Sequence, residues 1–357
     1  MMRVLGLALY GPLAASTRYR LGQYGPGLAE HGISLEVRSL LDDDYLRQRF
    51  GGGRLPLAAM VRKGLRRLGH LREQGYDVAM LHCELYPLMP AWLEQALLGS
   101  RPYVYDFDDA FYLKYRRGGL GALDRVLGRK FDAVVRNAAA VTAGNRTLHR
   151  YAAALNPRST LLPTVVDTDR YAPAPRRPNG TFTVGWIGSP STAPYLDQLV
   201  EPLRRLGREG AVRLVVVGGK APSIPGIDVC EVDWSEASEV DLLNTFDVGV
   251  MPLPDDDWAR GKCAFKLIQY MACGVPAIGS PVGANIDVLQ EGCGLLAETP
   301  EQWLQSLRRL RDDRTLALRM GQAGRARAVA HYSLHRHVPV LAQVLLDAAR
   351  GGKPCAA

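Results

Sequence analysis

The stretch FDVGVMPLPDDDWARGKCAFKLIQYMACGVPAIGS (246–280) reads as one strand–helix–strand unit. Two short apolar runs, 246–252 and 276–280, flank a helix-length segment. That segment ends at Gly274, where a left-handed residue is expected to stop the helix, with Pro276 just beyond. Apolar runs separated by helix-length segments are typical of a parallel sheet that helices cover on both faces. The stretch therefore predicts an α/β fold.

The same alternation extends along the chain and forms two series of predicted strands. The first series is 3–9, 33–38, 77–82, 102–106, 139–143 and 159–163, and the second is 182–188, 212–218, 227–232, 246–252, 276–280 and 294–297. Two series in a chain of this length predict two Rossmann-like, doubly wound domains. The segment 166–180 is the predicted linker between an N-terminal domain, 1–165, and a C-terminal domain, 181–335.

Composition excludes several classes of protein. The 357 residues are 47% hydrophobic and 22% charged, as in soluble globular proteins, and no apolar run is long enough to span a bilayer. Six cysteines without a C-x-x-C pair give a disulfide scaffold or a zinc site little support and favour a reducing cytoplasm. The apolar residues after Arg3 could form a short signal peptide, but the break at Gly11-Pro12 favours a buried first strand.

The basic excess lies entirely in the first half of the chain. Residues 1–165 contain 23 Lys and Arg against 14 Asp and Glu, whereas the remainder contains 21 against 22. This asymmetry indicates an acidic partner, such as an anionic lipid surface or a phosphorylated acceptor, or else a solvated basic surface without a partner. Nucleic acid is a weaker candidate, because the basic residues accompany no known reading motif.

Two lysines at the start of the predicted helix in 261–283 form the clearest candidate site. Lys262 and Lys266 are four residues apart and would share one face at the first helical turn. Together with the positive end of the helix dipole, they could hold a pyrophosphate without a metal ion. Gln269 lies on the same side and could bond a ribose hydroxyl. The alternative is a surface helix with two solvated lysines.

Five collinear segments extend this interpretation. They are LPTVVDTDRYAP (162–173), FTVGWIG (182–188), VRLVVVGG (212–219), KLIQYMACGVPAIGSPVGANIDVLQEGCGLLA (266–297) and RMGQAGRARAVAHYSL (319–334). In this order they resemble the interdomain element, two successive strands, the donor-binding signature and the closing helix of retaining GT-B glycosyltransferases, the glycosyl transferases group 1 family (family four).

The resemblance implies a GT-B fold, in which two domains face a central crevice and a C-terminal segment, 336–357, returns toward the N-terminal domain. It implies transfer of a sugar from a nucleotide-diphosphate donor, of the UDP or GDP type, to an acceptor hydroxyl with retention of configuration. No metal ion or other cofactor is expected. The donor would bind the C-terminal domain and the acceptor the N-terminal domain, in glycan, glycolipid or natural-product biosynthesis.

The sequence departs from the family pattern at the donor site. Gly261 and Gln269 stand where the family usually carries two glutamates, and its usual Arg and Lys after the first C-terminal strand are absent. Backbone and hydroxyl groups can still cradle a phosphate there. The expected donor-binding residues are Gly188, Ser189, Ser191, Lys220, Gly261 and Gln269, and the expected catalytic cations are Lys262 and Lys266. The departures leave a catalytically weak or silent nucleotide-sugar-binding subunit as the alternative.

Polar residues after two strands of the first half are the expected acceptor site. The acceptor-binding residues are expected to be Ser16, Arg18, Arg20, Asp106 and Asp108, and Asp109 is expected to be catalytic. Arginine forks at the crevice mouth suit a phosphate, and a carboxylate could help to deprotonate the attacking hydroxyl. The acidic cluster could alternatively hold a divalent ion or cap a helix.

The segment 54–73 predicts a basic amphipathic helix. Its apolar side comprises Leu57, Val61, Leu65 and Leu68, and its basic side comprises Arg62, Lys63, Arg66 and Arg67. Such a helix either lies on an anionic membrane or packs its apolar side on its own sheet. The expected location is the cytoplasm, with a peripheral position at the inner membrane face under the first alternative.

Overall fold

The computed structural model describes residues 1–53, 56–116, 123–175, 180–290 and 292–351. The chain divides into two compact units. The first unit comprises Met1–Thr164 and the chain from Leu334 onward, and the second comprises Val165–Ser333. The chain therefore leaves the first unit once and re-enters it at Leu334.

The first unit is built on a six-stranded parallel sheet with the order β2-β1-β3-β4-β5-β6. Its strands are β1 (Met2–Tyr10), β2 (Ile33–Leu41), β3 (Val78–His82), β4 (Tyr103–Phe107), β5 (Ala140–Ala143) and β6 (Ser159–Leu161). From β1 the chain adds β2 on one side and β3 on the other. The carboxyl ends of β1 and β3 thus border the point at which strand order reverses.

The second unit repeats this plan with the order β12-β11-β10-β7-β8-β9. Its strands are β7 (Phe182–Ile187), β8 (Val212–Val217), β9 (Asp228–Val232), β10 (Val248–Met251), β11 (Ala277–Gly279) and β12 (Gly294–Leu296). Strand β7 is buried along its whole length, and its Trp186 belongs, with Trp303, to the main hydrophobic core of this unit. Here the strand order reverses between β7 and β10.

Helices cover the sheets of both units. The first unit contains α1 (Ala15–Thr17), α2 (Tyr24–Glu30), α3 (Asp43–Phe50), α4 (Leu57–Arg72), α5 (Ala91–Leu98), α6 (Leu123–Leu127), α7 (Lys130–Asn137) and α8 (Arg146–Ala153). The second contains α9 (Val200–Gly207), α10 (Glu239–Asn244), α11 (Asp257–Arg260), α12 (Phe265–Ala272), α13 (Ala284–Val288), α14 (Pro300–Asp312) and α15 (Arg314–Tyr332), and α16 (Leu334–Gly351) belongs to the first unit. A π-helical turn spans Arg18–Gly22, and 3₁₀ helices span Phe111–Leu113 and Ala193–Leu199. None of the helices in the described ranges has the length and apolarity needed to cross a membrane.

The twelve predicted strands are all present, and their ends differ from the predicted ends by at most three residues. The predicted helix stop at Gly274 is also confirmed, because this residue has φ +63° and follows Cys273, the C-cap of α12. The α/β prediction with two doubly wound sheets is therefore correct.

The predicted linker 166–180 differs from the structure. Residues 165–175 are part of the second unit, where Val166 and Tyr171 are buried. The backbone N–H of Val166 donates to Tyr332 O at 3.1 Å, and Arg325 Nη2 donates to Thr168 O at 2.8 Å. The prolines of this segment correctly indicated irregular backbone, but hydrogen bonds between its backbone and α15 fix it on the second unit. Residues 176–179 lie outside the described residues.

Helix α4 does not pack its apolar side on the sheet, which was one of the two alternatives for the segment 54–73. Lys63 and Arg67 are buried, whereas Leu57, Val61 and Leu65 are exposed. Lys63 pairs with the Asp42 carboxylate, and Arg67 Nη2 donates to Ala8 O of β1. Charged groups therefore attach this helix to the unit. Residues 54 and 55, at the start of the predicted helix, lie outside the described residues.

Candidate functional site

The carboxyl ends of β7 and β10 form the natural ligand position of the second unit. In open α/β sheets, ligands bind beyond the strand ends where the strand order reverses. Two of the segments that carry predicted donor-site residues, 188–192 and 252–264, follow β7 and β10 directly. A third segment, the loop 218–221, follows β8.

Tyr270 of α12 fixes these two strand ends relative to each other. Its hydroxyl accepts a hydrogen bond from Ile187 N at 3.2 Å and donates to Val250 O at 3.3 Å. The ring lies against Gly249, where a Cβ atom would come within 2.3 Å of it. Only glycine fits at that position, so the sequence of β10 makes room for the tyrosine that connects the strands.

Lys266 lies at the end of β7. Its Nζ is 5.3 Å from the centre of the Trp186 ring, and a Cβ on Gly188 would lie 2.7 Å from Lys266 Cε. Trp186 is buried, so the lysine stem crosses a rigid aromatic surface. The missing side chain at Gly188 thus leaves room for the lysine stem beside the end of β7.

Lys262 does not share a helical turn with Lys266, contrary to the prediction. Helix α12 begins only at Phe265, after Ala264, which has φ +54°. A left-handed alanine is strained and turns the backbone sharply between the two lysines. Lys262 therefore lies in the loop before the helix, where its N–H donates to Ala259 O at 3.0 Å.

The remaining predicted donor residues occupy different environments. Gly261 is buried, and its N–H donates to Trp258 O at 3.1 Å at the end of α11. Ser189 and Ser191 follow β7 with their hydroxyl oxygens 2.9 Å apart. Lys220 is exposed and forms an ion pair with Glu231 of the edge strand β9 at 2.7 Å. Only the serine hydroxyls resemble the predicted cradle.

Gln269 points into the protein, and the prediction that it offers its amide to a ribose is not supported by this geometry. It is buried, and its Nε2 donates to Glu239 Oε1 at 2.6 Å and contacts the Tyr171 hydroxyl at 3.4 Å. Glu239 also accepts hydrogen bonds from Tyr171 and Trp234. Glu239 could not be selected from the sequence, because it lies 30 residues before Gln269 and belongs to no motif.

A glutamate at position 269 tests this buried cluster. Gln269→Glu would place two carboxylates at hydrogen-bond distance, so one of them must keep its proton and its pKa must rise. A raised folded-state pKa contributes stability that is lost as pH rises, so we expect the variant to lose stability relative to the wild type between about pH 5 and pH 8. Urea unfolding at both pH values measures this loss. Gln269→Met is the control, since it removes the hydrogen bond without adding a charge; equal pH profiles for Gln269→Glu and the wild type would contradict the arrangement.

In the first unit, Arg20 and Asp106 bind each other instead of facing solvent. Both are fully buried, and Arg20 Nε and Nη2 contact the two Asp106 carboxylate oxygens at 3.1 and 2.5 Å. Arg20 Nη1 donates to Leu162 O at 2.6 Å. The prediction that both residues contact the acceptor is therefore wrong, because the π-helical turn Arg18–Gly22 directs Arg20 inward.

The buried pair orients a histidine that sequence analysis did not select. His82, at the end of β3, has its Nδ1 2.8 Å from Asp106 Oδ2 and its Nε2 3.0 Å from Cys83 Sγ. Burial would raise the pKa of Asp106, but Arg20 and the His82 hydrogen bond outweigh it and hold this pKa well below its usual range. The one signal in the sequence was the position of His82 at a strand end beside β4.

Asp108 lies beside this histidine at the end of β4. Its Oδ1 is 3.9 Å from His82 Nε2, and burial, opposed by His82 and reinforced by Asp109, raises its pKa to about 6. Ligand atoms of His82, Cys83 and Asp108 lie within 4.8 Å of one another, which is a spacing that could accommodate a metal ion. Cys83 has φ +65°, so this turn is strained, as backbone at functional sites often is.

The other predicted acceptor residues surround the ends of β1 and β4. Arg18 Nη1 donates to Pro12 O and Leu13 O at 2.6 and 2.9 Å and so braces the loop after β1. Ser16 is half-buried in α1, and Asp109 is half-buried after β4. The first unit therefore presents Asp108 and Asp109 at a strand end, behind which Arg20 and Asp106 are fixed.

Comparison with known protein families gives a match within the second unit. Residues 181–313 match the family model described as Glycosyl transferases group 1. No curated protein sequence is similar enough to be matched.

Solved structures resemble the whole chain. Sucrose-phosphate synthase from Thermosynechococcus elongatus has a TM-score of 0.70 at 15% identity, over 96% of this chain and 98% of that one. HepE from Anabaena, solved in complex with UDP, has a TM-score of 0.65 at 14% identity, over 97% and 100%. A glycosyltransferase from Rickettsia africae has a TM-score of 0.66 at 12% identity, over 97% and 98%. At these identities the likeness establishes the fold, which is GT-B, as the sequence predicted.

Proposed function

We propose that this protein is a glycosyltransferase of the group 1 family that transfers a sugar from a nucleotide-diphosphate donor to an acceptor hydroxyl, with retention of configuration. The observation that carries the proposal is the strand-order reversal of the second unit, where Lys266 lies across Trp186 beside Gly188. The match of residues 181–313 to that family supports it independently.

The chemical demand of this reaction is a departing nucleotide diphosphate. Fixed positive charge at the leaving group stabilises the transition state more than it stabilises the bound donor, when it is aimed at the charge that develops. Lys266 and Lys262 would supply that charge, and the hydroxyls of Ser189 and Ser191 would bond the phosphate oxygens. With retention, the leaving phosphate itself would assist attack on the same face, so no protein nucleophile is needed.

A donor of the UDP type is the first choice, with GDP as the alternative. HepE, which shares the fold at 14% identity, was solved with UDP-glucose as well as with UDP. We expect UDP to raise the melting temperature of the full chain more than uridine does, because uridine lacks the phosphates that the lysines would neutralise. Differential scanning fluorimetry with UDP, GDP and uridine measures this. Equal shifts for UDP and uridine would contradict a phosphate site.

The acceptor would bind the first unit at the ends of β1 and β4. Asp109 would help to deprotonate the attacking hydroxyl, Asp108 would bind acceptor hydroxyls, and Arg20 and Asp106 would act as positioning residues behind them. The basic excess of this half favours an acceptor that is phosphorylated or lipid-linked. With such an acceptor the protein would act in glycan, glycolipid or natural-product biosynthesis, in the cytoplasm and at the inner face of an anionic membrane.

We propose that no metal ion takes part in the transfer, because the lysines would meet the charge of the diphosphate. A catalytic metal ion bound by His82, Cys83 and Asp108 would contradict this proposal. Turnover that is lost in a chelator and restored by a divalent ion, and that Cys83→Ser also abolishes, would assign the metal to this group.

A silent nucleotide-sugar-binding subunit is the second candidate. It is favoured by Gly261 and by Gln269, which stand in place of the family's glutamates, and by the inward orientation of Gln269. An assay of UDP or GDP release from nucleotide-sugar donors separates the two functions, because only an active enzyme hydrolyses or transfers the sugar. Donor binding without any turnover over a panel of acceptors would favour the silent subunit.

A further inference from the structure

Helix α4 presents an apolar stripe to solvent. Leu57, Val61 and Leu65 are 79%, 53% and 62% exposed, and their spacing of four residues places them on one helical face. Contiguous exposed apolar residues of this kind mark sites of interaction with another surface. The orientation is fixed from the inside, because Lys63 and Arg67 are bound to Asp42 and Ala8 O.

Arginines border the stripe. Arg62 and Arg66 follow Val61 and Leu65 directly and are exposed. The helix Leu57–Arg72 contains five Lys and Arg and no Asp or Glu, and three of the five, Arg62, Arg66 and Arg72, are exposed. A helix with an apolar face and a cationic edge is suited to the boundary between lipid chains and anionic head groups, where long basic side chains extend to the phosphates.

We propose that α4 is a membrane-docking helix, whose stripe Leu57, Val61 and Leu65 inserts into an anionic bilayer while Arg62 and Arg66 contact lipid phosphates. Charge complementarity selects this occupant, because the half of the chain that carries α4 has the whole basic excess. The proposal deepens the proposed function by identifying the partner surface of the first unit, and it rests on that function only for the lipid-linked acceptor.

The docking helix is connected to the candidate acceptor site. The Tyr86 hydroxyl donates to Gly64 O of α4 at 2.8 Å. Tyr86 belongs to the loop after β3 that begins with Cys83 and Glu84, and Lys130 Nζ holds this loop by bonds to Glu84 Oε1 at 2.7 Å and Tyr86 O at 2.6 Å. The loop that contains Cys83, beside His82 and Asp108, is therefore hydrogen-bonded to the docking helix.

Vesicle flotation of the full chain tests the proposal. We expect binding to vesicles of phosphatidylcholine with about 30 mol% phosphatidylglycerol, little binding to phosphatidylcholine alone, and weaker binding as salt rises to about 0.15 M. No binding to the anionic vesicles at low salt would overturn it.

Matched variants locate the contact. Val61→Ser/Leu65→Ser should lower the partition coefficient at least about tenfold, because both side chains would leave the lipid. The control is Leu318→Ser/Val329→Ser on α15, whose side chains are 65% and 43% exposed, and it should bind as the wild type does. Arg62→Gln/Arg66→Gln should lose the salt-sensitive part of binding, whereas Arg208→Gln/Arg319→Gln should not. Equal loss in test and control pairs would overturn the assignment.

Two further readouts separate the alternatives. Melting temperature and UDP affinity, measured without vesicles, should be the same in the wild type and in Val61→Ser/Leu65→Ser. UDP binding that fails in all of these proteins contradicts the proposed function and leaves vesicle binding to be judged separately. The wild type could instead form a dimer that Val61→Ser/Leu65→Ser dissociates, and bind no vesicles. That result would show that a second copy of the chain covers the stripe, and it would overturn the membrane proposal.

Discussion

Replacing Lys266 by alanine should lower the turnover of the nucleotide-sugar donor by about 10²–10³-fold, which corresponds to about 2.7–4 kcal/mol of transition-state stabilisation. The Nζ of Lys266 lies over the Trp186 ring near the end of β7, and the absence of a side chain at Gly188 leaves room for the lysine stem. Charge on the leaving diphosphate grows as the sugar departs, so the loss should fall mainly on kcat. Steady-state kinetics with the donor that stabilises the protein most would measure it.

Two further variants are needed to interpret the loss of turnover in Lys266→Ala. Arg319→Ala removes an exposed cation from α15 and should leave kcat unchanged. Lys266→Arg keeps the charge on a longer side chain and should retain more activity than alanine does. A loss of less than about threefold in Lys266→Ala would remove this lysine from the leaving-group site and favour the silent subunit.

Replacing Asp106 by alanine should destabilise the first unit by about 3–5 kcal/mol, since it leaves the buried Arg20 guanidinium without its counter-ion. The same change removes the acceptor of the His82 Nδ1 contact and of the Thr142 hydroxyl, which donates to Asp106 Oδ1 at 2.6 Å. Chemical denaturation followed by circular dichroism measures the change. The exposed ion pair between Arg213 and Asp228 is the matched control, and Asp228→Ala should have a much smaller effect.

Asp106 should also make the free energy of unfolding depend on pH. The folded-state pKa of Asp106 lies below its usual range, so its contribution is present above the unfolded-state pKa of about 4 and is lost as pH falls. Asp106→Asn keeps the shape but cannot ionise, so its stability should depend less on pH below about 5 than that of the wild type. Parallel pH profiles for the two proteins would contradict the role assigned to this carboxylate.

The fold could be predicted from the sequence because its determinants are local. The central strands are short apolar runs, such as VAMLH of β3 and FTVGWI of β7, and these are buried along their whole length, as parallel strands covered on both faces are. The stop of α12 at Gly274 needs only a residue that accepts φ +63°. Segment 165–175 shows the limit of such reasoning, because its composition indicated a linker while Tyr171 and Val166 fix it on the second unit.

The candidate sites could be predicted only in part. Lys266 was selected from its position at the start of a predicted helix and Gly188 from its position after a strand, and both lie at the end of β7. Arg20, Asp106 and Gln269 were found as polar residues in the right segments, but their side chains are buried in pairs and clusters. Periodicity says on which element a side chain lies, and it does not say whether a partner from another element has already taken its hydrogen bonds.

The sequence by itself thus determined the two parallel sheets, the positions of their strands and the basic excess of the first half. The tertiary structure alone decided which charges point outward. On α4 it turned Lys63 and Arg67 inward and left Leu57, Val61 and Leu65 in solvent, the reverse of what hydrophobicity favours. The physical reason is that Ala8 O of β1 and the carboxylate of Asp42, the residue before α3, are hydrogen-bond partners that only the folded chain brings to this helix.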